Sequence, residues 1–136
     1  MYMFQYDPKH KDTLPYYDLF PLAIVIGPAE GGFLGLNLHY LPPILRAKML
    51  DGLMGITTNK AFNDTTRFRA QYSLLQKSSK LRFYKPCVKH YLDAQVQSRF
   101  ALVPSTEWEI ATFLPTAQFR KANNFKVYSD SQRMVG

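Results

Sequence analysis

The chain holds a single cysteine, Cys87, so no internal disulfide can staple it. Its histidines stand at His10, His39 and His90, which gives no Cys/His set at the spacing of a structural zinc site. No apolar run approaches the roughly 20 residues that span a bilayer as a helix. The opening MYMFQYDPKHK lacks the charged-then-apolar layout of a secretory leader, and none is expected. Internal repeats and low-complexity tracts are missing as well. Acidic residues are in deficit, 10 against 17 basic ones, for a net charge of +7. What is present is ordinary for a folded protein: 46% hydrophobic and 20% charged residues, which argues against a disordered chain. A chain of 136 residues suffices for one domain that buries roughly two-thirds of its unfolded surface. The expectation is a soluble, basic, single-domain protein of a reducing compartment that needs no cofactor or metal.

The positive charge is concentrated. Residues 60–99 carry nine basic side chains (Lys60, Arg67, Arg69, Lys77, Lys80, Arg82, Lys85, Lys89, Arg99) against Asp64 and Asp93, and the stretches on either side nearly balance. Such asymmetry is the footprint of a surface that meets a polyanion. Docking on an acidic protein neighbour and plain solvation are the competing readings. Arg67, Arg69, Lys77, Lys80, Arg82, Lys85 and Lys89 are the candidate nucleic-acid contacts. Cationic side chains displace counterions from phosphates, and interleaved aromatics can stack on bases. Phe68, Tyr72, Phe83 and Tyr84 fall where core residues would, so backbone contact is expected rather than sequence readout. No helix-turn-helix, zinc-finger or single-strand-binding signature accompanies the cations.

Along the chain, Tyr2–Tyr6 reads as a short strand. Residues 7–21 hold three prolines and read as an extended, aromatic-bearing arm. Leu22–Ile26 is an apolar strand, Ala29–Gly32 is turn chemistry, and Phe33–Tyr40 alternates as a strand, which together predicts a β-hairpin. Gly35 inside that strand points to a bulge or a close backbone contact. Pro42-Pro43 opens a helix carrying Ile44, Leu45, Met49, Leu50 and Leu53, with Arg46 and Lys48 elsewhere on the wheel, and residues 55–63 read as a loop. Asp64 is the expected N-cap of a helix to about Lys77. Pro86 starts another through about Ser98, and Arg99–Val103 is strand or link. Thr106 and Glu109 fit a capping box for a short helix around Trp108. Pro115 breaks it, and Thr116 restarts a helix through Ala122. Residues 124–136 form a last helix or a docked arm. The fold class is therefore α+β: an N-terminal β-hairpin or small antiparallel sheet covered by four or five short helices, with arms at about 7–21 and 124–136.

No catalytic pattern stands out. Cys87 and His90, three apart on an expected helix near Lys85 and Lys89, suggest a reactive thiol; a half-buried cysteine and a satisfied histidine is the preferred reading. Glu107 and Glu109 diverge on a helix and simply complement its N-terminal dipole. Asp7, Asp12 and Asp18 lack the spacing of a calcium loop. Gly27–Gly32 lacks the lysine and hydroxyl of a phosphate-binding loop.

The runs Tyr6-Asp7-Pro8-Lys9, Leu14-Pro15-Tyr16-Tyr17-Asp18, Phe20-Pro21 and Gly32–Pro42, with Phe83–Tyr91 and Glu107–Pro115, resemble small proteins of T4-like tailed bacteriophages. The resemblance implies a virion or DNA-end-associated protein, located in the virion or in the cytoplasm of the infected bacterium. It carries over no catalytic residue. The expected function is a non-enzymatic phage virion or assembly protein. It docks on other phage structural proteins through its arms and contacts DNA or an acidic partner through residues 67–89. The alternative is a soluble DNA-binding accessory factor in replication or recombination. No membrane is expected as a partner, and a homo-oligomer is left open.

Overall fold

A computed structural model describes residues 1–57, 61, 63, 65–66, 69–70, 73–74, 77, 84–113 and 119–135. Leu22–Ala29 (β3) and Gly32–Asn37 (β4) make an antiparallel hairpin that pairs Ala23 with Asn37 and Ala29 with Gly32. Its tight connection leaves Gly31 at φ +71°, where a side chain would be strained. The ladder slips between Val25 and Gly27, which places the bulge on β3 rather than at Gly35.

Val88–Leu92 (β5) adds to the free edge of β4, from Gly32 opposite Leu92 to Leu36 opposite Val88. The close approaches are here. A Cβ on Gly32 would collide with the backbone carbonyl of Tyr91, and one on Gly35 would lie 3.0 Å from the Tyr91 ring. Tyr2–Met3 (β1) pairs with β3, and Ala101–Leu102 (β6) pairs with β1. The sheet runs β5-β4-β3-β1-β6, with every neighbour antiparallel. A separate ribbon joins Tyr17–Asp18 (β2) to Phe119–Arg120 (β7).

This sheet-dominated architecture corrects the expected fold class: four or five short helices do not cover a hairpin. Residues 86–98 account for much of the difference. Pro86 sits in a one-turn 3-10 helix, Lys85–Cys87, and the chain then enters β5, where β4 offers unpaired backbone groups. Pairing with that open edge overrides a helical spacing of apolar residues. Phe119–Arg120 is likewise strand, so no helix runs on to Ala122, and residues 114–118 lie outside the described residues. The hairpin's second strand stops at Asn37, because Leu38–Tyr40 turn into a 3-10 helix whose Asn37 side chain accepts from His39 N–H.

The described α-helices are Pro43–Thr57 (α1), Trp108–Phe113 (α2) and Asn124–Val135 (α3). Thr65, Thr66, Arg69, Ala70, Ser73, Leu74 and Lys77 are helical too. Asn63 caps that stretch, its Oδ1 accepting from Thr66 N–H at 2.8 Å; Asp64, the expected cap, lies outside the described residues. Asn123 caps α3, its Oδ1 accepting from Lys126 N–H at 2.8 Å.

The two faces of the sheet bury different side chains. Leu22, Ile24, Ile26 and Leu36 pack with Leu38, Leu41, Met49, Leu50, Leu53 and Val127 in the main core. On the other side Phe4, Tyr6 and Tyr91 gather with Phe33. Their rings meet edge-on, Phe4 5.3 Å and Tyr6 5.0 Å from Tyr91. Such pairs contribute about 0.5–1.5 kcal/mol each beyond area burial.

Candidate nucleic-acid interface

The expected cations do not share one environment. Arg69, Lys77 and Lys85 are exposed, and their side chains make no hydrogen bond or ion pair among the described residues. Arg67, Lys80 and Arg82 lie outside the described residues. Lys89 differs: it is half-buried on β5, and its Nζ stands 3.9 Å from the centre of the Tyr40 ring. Burial lowers the pKa of its ammonium, and Cys87 opposes that shift. Arg46, expected away from the core, is buried. It donates through Nε to Leu41 O at 2.7 Å and through Nη2 to His39 O and the Tyr128 hydroxyl, so α1, the Leu38–Tyr40 turn and α3 meet on one guanidinium.

The reactive-thiol reading fails on geometry. Cys87 is fully buried, and desolvation pushes its thiol up to about 12 despite the nearby Lys89 and Arg46. His90 is exposed on β5, 2.7 Å from Glu30 O. No group of His, Cys, Asp and Glu among the described residues could hold a metal ion. No described helix is long and apolar enough to cross a membrane.

The arm of residues 7–21 folds onto its own chain. Lys121, at φ +71°, sends its Nζ to the carbonyls of Lys11, Asp12 and Leu14 at 2.6, 3.3 and 3.0 Å. Pairing of β2 with β7 holds the arm's other end. Behind it lies a buried polar group that the sequence does not signal. His39 Nδ1 stands 2.7 Å from Asp18 Oδ2, which also accepts from Asn37 Nδ2 at 3.0 Å. Asp18 Oδ1 accepts from Phe20 N–H at 3.0 Å. Burial alone raises the pKa of Asp18. The hydrogen bonds from His39, Asn37 and Phe20, with the proximity of His39, outweigh burial and hold the carboxyl below its ordinary value.

Between this arm, the Tyr40 turn and β5 lies a cavity of about 250 Å³. Lys89 and Tyr40 form part of its wall, with Lys9, Tyr16, Tyr17 and Tyr91. It is the place where one expected phosphate contact, Lys89, meets aromatic surface. Spacing along the chain could not reveal it, because its walls come from residues some 80 positions apart.

Among known proteins, a family described as phage T4 terminal DNA protecting protein matches residues 1–134. No curated protein matches, and no solved structure does.

Proposed function

The chain belongs to the phage T4 terminal DNA protecting protein family, and on that premise we propose that it is a non-enzymatic phage protein that covers DNA near its ends by contacting the phosphate backbone. The family match is the observation that carries this reading. The exposed Arg69, Lys77 and Lys85 support it, since an unpaired surface cation is free to replace a counterion on DNA. Arg67, Lys80, Arg82 and Lys89 belong to the same cationic stretch and are assigned the same role. The contact reads charge and shape rather than base sequence.

The test is exonuclease digestion of a linear duplex. The full chain slows degradation from the ends, and the variant Arg67→Ala, Arg82→Ala, Lys85→Ala slows it less. Degradation at the unprotected rate in the presence of the full chain contradicts the reading.

A second element is docking on a structural subunit of the particle. Phe125 is 80% exposed on α3, Ile44 74% on α1 and Ile110 63% on α2, apolar side chains that a neighbouring subunit would cover. A virion component appears in purified particles at fixed stoichiometry, whereas a soluble accessory factor acting in the infected cell is absent from them.

A further inference from the structure

We propose that the cavity beside Lys89 seats the last nucleotide of a DNA strand, with its terminal phosphate on Lys89 and Lys9 and its base against Tyr16 and Tyr17. This rests on the reading of the chain as a DNA-end protein and assigns that reading a site.

Size comes first. About 250 Å³ falls below the pockets of drug-sized ligands, which begin near roughly 300 Å³. It suits one small aromatic unit with its phosphate and is far too narrow for a duplex. The walls suit such a guest. Tyr16 and Tyr17 are half-buried and line the cavity, and every base has a π-face that can stack on a tyrosine ring.

The charge suits it as well. Lys9 is exposed at the rim, and Lys89 lies deeper, one face of its ammonium on Tyr40. An ammonium has three donors, so resting on a ring leaves N–H groups for an anion. The carboxylate in the wall, Asp18, is turned to the interior and engaged by Asn37, Phe20 N–H and His39. Lys9 and Lys89 therefore supply the cationic donors at the cavity, and neither is ion-paired among the described residues. A phosphate monoester carries about −1.5 to −2 at neutral pH, more than the single charge of an internal diester, and two lysines favour it accordingly.

The geometry also favours an end over the middle of a strand. A base inside a duplex must be unpaired and unstacked before it can enter a recess, and that opening costs a few kcal/mol. A terminal base is stacked on one side only and opens most easily.

The experiment measures binding of the full chain to duplexes closed by a hairpin at one end. The open end carries one unpaired nucleotide with a 5′-phosphate, a 3′-phosphate or a hydroxyl. A phosphorylated end binds about tenfold more tightly than a hydroxyl end, and the two phosphate arms identify which strand end enters. Lys89→Met and Lys9→Met each abolish most of that preference, and Lys9→Met, which lies outside the cationic stretch, leaves binding to closed circular duplex unchanged. Lys9 is exposed on the arm, so its variant keeps the test open should Lys89→Met fail to fold. A chain that prefers linear to circular DNA but treats phosphate and hydroxyl ends alike overturns the cavity assignment and leaves the proposed function standing. Phosphate preference that survives both substitutions overturns it too. No preference for linear over circular DNA overturns the function beneath it.

Discussion

His39 Nδ1 lies 2.7 Å from Asp18 Oδ2, and both side chains are shut away from solvent. The pair ties the start of the β2–β7 ribbon to the turn that follows β4. Breaking a buried pair from one side leaves an unsatisfied polar group behind. Asp18→Ala is expected to cost roughly 3 kcal/mol at pH 7, measured by urea unfolding.

The same pair sets an acid dependence. The Asp18 carboxyl is held below its ordinary value of 3.8, so the folded chain binds that proton more weakly than the unfolded chain does. Its contribution is complete above that pH and is lost as the pH falls through and below it. Unfolding midpoints followed down through this window should drop in the parent chain, with a shallower drop in Asp18→Asn. Equal slopes would show that Asp18 does not contribute.

The sheet predicts an order among glycine substitutions. Gly32→Ala drives a methyl into the Tyr91 carbonyl, which is backbone and cannot swing away. Gly35→Ala meets only the edge of the Tyr91 ring, 3.0 Å away. The first should cost about 3 kcal/mol and the second about 1 kcal/mol, within the usual range of overpacking, as read by thermal unfolding. The reverse order would contradict the placement of β5 beside β4.

Cys87 is expected to be inert in the folded chain. Its thiol is buried, with its pKa pushed up to about 12, so little thiolate exists at pH 8. Labelling by a thiol reagent should be slow in native buffer and fast in denaturant. Fast native labelling would contradict the burial.

Much of the fold is legible in the sequence where periodicity and turn chemistry agree. The β3–β4 hairpin combines alternating residues with Glu30-Gly31, and each signal implies the other. β5 is not legible. Val88, Tyr91 and Leu92 fit a helix stripe as well as a strand covered on both faces, and only the partner edge of β4 decides between them. α3 is half-hidden because its inward stripe includes the buried Ser131 beside Val127, although Asn123 already carries the cap signal. The polar group of Asp18, Asn37 and His39 has no local signature, since its members meet across about twenty residues. Of the cavity wall, Lys89 is singled out in the sequence as a phosphate contact, one cation among seven, whereas Asp18 and His90 are weighed only for other chemistry.

The salt dependence of DNA binding tests the central claim, that the cationic stretch meets phosphates, most directly. The logarithm of the association constant should fall linearly with the logarithm of salt concentration. Replacing Arg69, Lys77 and Lys85 by alanine should make that slope shallower by nearly one unit for each phosphate no longer neutralised, about 2–3 units in all. A triple variant that binds as tightly as the parent, with the same slope, would contradict the account.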